Sequence, residues 1–202
     1  MISSKFNGRL LLAGIIAFGL MMLSWVMQGN QDTTLETIAW ASASEDWQNV
    51  GMIRMLAMML MLIFLAGYSA WAKSINEAST ALSIGVYFAL FGILLMWVGL
   101  ITGITGFDLS ANNGDAAAAL IELSGTGFWF GGTCMGISFF LVGLSVFRQK
   151  AGNPTLMAIL AVLGLAALVG NFVMWQVWLG SFGLGLLLLA YIGITSSTTD
   201  KS

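Results

Sequence analysis

The residues with the clearest chemical potential are a run of methionines and one arginine inside an apolar stretch. Between Gly51 and Trp71 (GMIRMLAMMLMLIFLAGYSAW) methionine stands at positions 52, 55, 58, 59 and 61, and Arg54 is the single charge. Thioethers are soft ligands that favour Cu(I). Met52, Met55 and Met59 share one helix face, and Cys134 with Met135 falls at a similar depth in a later apolar run. These five are the candidate metal ligands. Against copper stand the absence of histidine and of a more polar Met-x-Met setting. Methionine also fills irregular apolar space adaptably, so the same residues read as an apolar pocket, a protein contact surface or plain packing.

An ionisable residue within a membrane-length segment is a functional candidate by default. Arg54 lies near one end of its run, where a long side chain can reach water. Glu122 sits at the corresponding level before a later run, with Asp108 and Asp115 in the same loop. The expected arrangement is a structural ion pair, Arg54 with Glu122. Snorkelling to lipid phosphate and recognition of a ligand are the alternatives.

What is missing narrows the function further. No carboxylate stands in mid-membrane, no span is arginine-rich, and no nucleophile–base set, metal motif or phosphate loop occurs. Proton and ion coupling normally leave such residues, and catalysis needs them. The expectation is a protein that is not an enzyme, with no cofactor assigned.

These residues are carried on elements dictated by composition. Of 202 residues 58% are hydrophobic and only 8% charged, against about 25% charged in soluble domains. Such a chain cannot clothe a water-facing surface. The net charge of −2 and the lack of any Lys/Arg cluster exclude a nucleic-acid binder. The expected fold is all-α, a polytopic membrane bundle of six helices. The spans are approximately 9–28, 51–72, 82–104, 125–147, 155–174 and 176–194, each near the ~20 residues that cross a bilayer core. They form one domain, 1–194, followed by a polar tail, 195–202. The last two spans are nearly contiguous, so a tight hairpin or kink is required near Asn171–Gln176. No signal-peptide cleavage pattern lies close to the first run, which reads as an uncleaved span.

Charge placement orients the bundle. With the N-terminus inside, Lys5, Arg9, Lys73, Arg148, Lys150 and Lys201 are cytoplasmic and only Arg54 is outside. This is the positive-inside pattern, and it predicts a cell (inner) membrane protein with both termini cytoplasmic. Given that topology, most methionines fall in the outer half, as do Trp25, Trp40, Trp47, Trp97, Trp129, Trp175 and Trp178; an aromatic belt accounts for most of these tryptophans. The two outer loops each carry signals for a short interfacial helix. In the first, Thr33 and Glu36 have capping-box spacing, and Ser44-Glu45-Asp46 marks another start. In the second, Asn112-Asn113-Gly114 reads as a turn and Asp115 as a cap. Asn153-Pro154 opens the fifth span with a cap and a first-turn proline.

Glycines are placed at packing intervals. Gly85, Gly92 and Gly99 are seven apart on the third span, and Gly127, Gly131, Gly132 and Gly136 sit on the fourth. Small residues let membrane helices approach closely. These faces suggest a non-catalytic accessory or scaffolding subunit that packs against other membrane subunits, a second copy or lipid. The alternative is a binder or permease for a small apolar or amphipathic molecule, such as a lipid or pigment, or a Cu(I)-handling protein.

Span 2 with Arg54, then Gly143–Gly152 (GLSVFRQKAG) running into Asn153-Pro154 and Ala161–Leu165, resembles a family of multi-spanning bacterial membrane proteins of unknown function. In that family an arginine opens the second span, and a glycine-rich fourth span leads to a basic loop and a proline-started fifth. The family's long proline-bearing segments are mostly missing here. The resemblance implies topology and assigns no activity.

Overall fold

The computed structural model describes residues 8–29, 31 and 33–196. Lys5, Asp32, Asp200 and Lys201, which entered the charge count, lie outside the described residues, as does most of the tail. Seven helices follow one another: α1 (Leu12–Gln28), α2 (Thr34–Ala43), α3 (Asp46–Ile75), α4 (Thr80–Leu109), α5 (Gly114–Arg148), α6 (Pro154–Val173) and α7 (Trp175–Ser196). Among the described residues there is no strand. Six of the helices are long and apolar enough to cross a membrane, the first counted from Gly8. The chain is a multi-pass membrane protein.

Each helix begins and ends for a local reason. α1 stops at Gly29, whose φ of 79° a side chain would oppose. α2 has the complete capping box: Glu36 N donates to Thr33 Oγ1 at 3.2 Å and Thr33 N to Glu36 Oε2 at 3.1 Å. Asn153 Oδ1 accepts from the amides of Thr155 and Leu156, and Pro154 takes the first helical position. The short helix expected in the second loop is not separate. The connection shrinks to residues 110–113, and Asn113, rather than Asp115, caps α5 by accepting from Ala116 N at 3.2 Å. The alanine-rich run after Asp115 has high helix propensity and simply extends the next span by about three turns.

The spans pack in sequence order into a closed ring. α1 lies against α3, α3 against α4, and so on to α7, which returns to α1, while α2 rests on α4 and α5. The predicted tight connection is a single residue. Met174 leaves α6 in extended conformation (φ −155°, ψ 108°), and its carbonyl accepts from Val177 N at 2.9 Å to start α7. Gly170 makes this hairpin possible, because a Cβ there would sit 2.5 Å from Trp178 N.

In lipid no hydrophobic effect drives helices together, so close packing must do so. The glycines supply it within the chain. A Cβ on Gly92 would meet Gly131 O at 2.8 Å, and one on Gly131 would meet Gly92 O at 2.7 Å. Gly99 and Gly127 face each other in the same way, and Gly85 receives Val142. Gly136 faces Gly164 and Leu168 on α6. Gly132 makes room for the indole of Trp178. All seven predicted packing glycines therefore join α5 to α4, α6 or α7 of the same molecule. Around them the half of the ring nearer the termini is filled by Phe64, Tyr68, Phe139, Leu186 and Leu189, all wholly buried. Tyr68 OH lies 3.2 Å from Ser138 Oγ, which satisfies both hydroxyls in the apolar interior.

Candidate functional site

The opposite half of the ring is less completely filled. α1 contributes Phe18, Met21 and Trp25 to the wall of a cleft, and α3 contributes Met58 and Met61. Met96 of α4, Phe128 of α5 and Trp178 and Phe182 of α7 complete it. The cavity between these side chains is about 40 Å³ and opens to the surface. Its lining is apolar throughout. The floor is aromatic: Phe182 stacks on Phe139 at 5.9 Å and on Trp178 at 5.7 Å, and meets Phe18 edge-on at 6.0 Å. Below Phe182 the packed core begins, so the cleft ends within the bundle.

One turn further toward the α2 end stands Arg54, buried to 9% exposure. It sits on the same buried stripe of α3 as Ala57, Met58 and Met61. Its Nε donates to Ser24 Oγ at 3.1 Å, and Nη2 donates to Gln28 Oε1. The Ser24 hydroxyl in turn donates to Met21 O at 2.7 Å, which fixes its lone pairs toward the arginine. The guanidinium also lies over the Phe107 ring at 5.8 Å from its centre, a cation–π contact. Trp40 of α2 packs edge-on against that same ring, at 5.6 Å.

The predicted ion pair is not formed. Arg54 turns to α1, and among the described residues it makes no salt bridge with Glu122, which is exposed. The physical reason is rotational. Arg54 points into the ring with Met58, whereas Glu122 occupies the outer surface of α5. Both acceptors of Arg54 are neutral, so among the described residues its charge has hydrogen bonds without a counter-charge.

The predicted metal set is likewise dispersed. Met52, Met55 and Met59 do share a face, but it is the outer one, with exposures of 61%, 41% and 50%. Cys134 and Met135 are buried against Gly92 on α4. No cluster forms from the five. The methionines that converge are Met21, Met22, Met58, Met61 and Met96, from three different helices.

Ser24, Gln28 and the cleft were not singled out from sequence. A signal was nonetheless present: steps of three, four and seven from Arg54 reach Ala57, Met58 and Met61, the inward stripe. Nothing local marked α1 as the partner of α3, because that neighbour relation is tertiary.

Two indole nitrogens, Trp97 Nε1 and Trp178 Nε1, are buried with no hydrogen-bond partner among the described residues. Trp178 is held by stacking on Phe182 and by the gap above Gly132. No family model, curated protein or solved structure matches this chain.

Proposed function

We propose that this protein is a non-catalytic membrane protein that holds a small apolar or amphipathic molecule, a lipid or pigment, in the cleft between α1, α3, α4, α5 and α7. The observation that carries the reading is the cleft's composition, methionines and aromatics from five helices. Flexible thioethers adapt to an apolar guest of irregular shape, and aromatic rings offer flat contact surfaces. The filled interior beneath Phe182 favours a holder over a permease.

The accessory-subunit reading keeps one specific support. The described glycines include three within spans, Gly19, Gly125 and Gly180, that have open space where a side chain would be. Partner helices could approach there, but the Gly-rich faces that first suggested such a role are occupied inside the chain.

For orientation we propose that both termini are cytoplasmic, in a cell (inner) membrane, with α2 at the outer interface. Arg9, Lys73, Arg148 and Lys150 gather at the end of the bundle nearer the termini, and Glu36, Glu45, Asp46, Asp108, Asp115 and Glu122 at the other. Cysteine at position 45 in a Cys134→Ser background should then react with an impermeant maleimide on intact cells. Cysteine at position 151 should react only after lysis.

The deciding experiment for function is native mass spectrometry of the protein released from nanodiscs, with an absorption spectrum and metal analysis. A lone chain retaining a stoichiometric lipid or pigment supports the cleft reading. Stoichiometric protein partners would establish the accessory role, and stoichiometric copper would return attention to the methionines.

A further inference from the structure

Resting on the cleft reading, we infer that the occupant is an anionic amphiphile, its carboxylate or phosphate head on Arg54 and its hydrocarbon tail between the methionines and aromatics below. The inference joins two observations that the cleft alone does not combine. The first is a largely buried cation with no counter-charge among the described residues. Arg54 is about nine-tenths buried, and two of its N–H bonds are used on Ser24 and Gln28. A guanidinium carries five N–H donors, and the remaining ones have no acceptor among the described residues. No Arg54 nitrogen is among the fully buried unpartnered atoms, so these remaining N–H groups are open to a partner of opposite sign.

The second observation is position. Met58 lines the cleft four residues beyond Arg54 on the same inward stripe, about 6 Å along the helix. Trp25, also in the lining, is the neighbour of Ser24. Arg54 is not itself in the lining but stands one helical turn from it, toward the α2 end. Phe107 covers one face of the guanidinium, which leaves its edge, the part that pairs with carboxylates and phosphates, for the head group. A cation one turn beyond a wholly apolar lining matches a molecule with a single negative end. It does not match a neutral hydrocarbon, for which the arginine would be a penalty, or a copper ion.

The test is saturable quenching of tryptophan fluorescence in detergent by bromine-labelled lipids, since Trp25 and Trp178 face the cleft. The probes are 9,10-dibromostearate, the matching dibromostearyl alcohol, and dibromo-labelled phosphatidylglycerol and phosphatidylcholine. The expected result on the wild-type chain is binding of the acid about tenfold or more tighter than the alcohol, the size of a charge-assisted hydrogen bond. Arg54→Gln should erase that preference, and Met58→Trp, which fills the cleft, should weaken both ligands. If phosphatidylglycerol, but not phosphatidylcholine, shows the same Arg54 dependence, the head is a membrane phosphate; if only the acid does, it is a free carboxylate. Either result upholds the inference. Equal binding of acid and alcohol, both lost in Met58→Trp, would overturn the anionic head while leaving the cleft reading standing. No saturable quenching by any probe would overturn both. The acid–alcohol comparison uses the unaltered chain, so it decides the matter even where a variant fails to fold.

Discussion

Arg54 Nε donates to Ser24 Oγ at 3.1 Å, so the lone charge between Gly51 and Trp71 is held by a neutral hydroxyl on the preceding span. That bond ties α1 to α3 at the level where the cleft opens. It also explains why a serine with no exposed surface is tolerated in a helix that is otherwise apolar up to its last residue, Gln28.

Ser24→Ala should therefore destabilise the protein by about 1.5–3 kcal/mol, the range for hydrogen bonds to charged groups. In an Arg54→Gln background the same change should cost clearly less, because the charged donor is gone. Thermal unfolding in detergent, followed by near-ultraviolet circular dichroism, measures the coupling between the two. Equal costs in both backgrounds would show that the bond does not matter.

The α4–α5 contact should be intolerant of a single methyl group. On Gly131 it would meet Met96 Cγ at 2.6 Å and Gly92 O at 2.7 Å, the latter rigid backbone. Gly131→Ala is expected to cost about 1–3 kcal/mol. Gly125→Ala, on the same helix but facing open space, should stay within about 0.5 kcal/mol of wild type. Size-exclusion chromatography beside the thermal scan separates loss of the monomer's fold from loss of an oligomer. Dissociation without destabilisation would mean that these faces meet another chain.

Neighbouring methionines should behave oppositely. Met58 is 1% exposed and Met59 50%. Truncating the first to alanine should cost about 2–5 kcal/mol, as for buried large-to-small changes, and the second little. The same thermal scan on both variants reads the difference. Similar losses at the two positions would contradict the rotation of α3.

Tyr68→Phe and Ser138→Ala should each cost about 1 kcal/mol by removing one hydrogen bond. The double variant should cost less than the sum, because the two hydroxyls serve each other at 3.2 Å. Additive losses would indicate separate partners for the two groups.

Much of the architecture was legible from sequence because membrane spans are defined by their own composition. Each must satisfy its backbone internally and be apolar for about 20 residues. The expected spans accordingly match the helices, with the ends of α3, α4 and α5 extended beyond the apolar runs by polar or alanine-rich turns. The Asn153-Pro154 start and the Thr33–Glu36 capping box were equally readable, since a cap involves residues three apart. The Met174 break was required by the lack of room between two spans.

The sites were far less legible. Spacing alone put Met52, Met55 and Met59 on one face, and that was correct, but it could not say whether the face met lipid or core. In an apolar solvent both faces of a helix are apolar, so the pattern that distinguishes inside from outside in water is missing. The same ambiguity turned Arg54 toward Glu122, the nearest opposite charge by depth. The chain by itself determined that six helices are long and apolar enough to cross a membrane, where they start and stop, and which small residues allow close approach. Only the tertiary structure decided which helices are neighbours. The glycine contacts set those neighbours and their rotations, and through them turned Arg54 to Ser24 and Gln28 and five separate methionines toward one cleft.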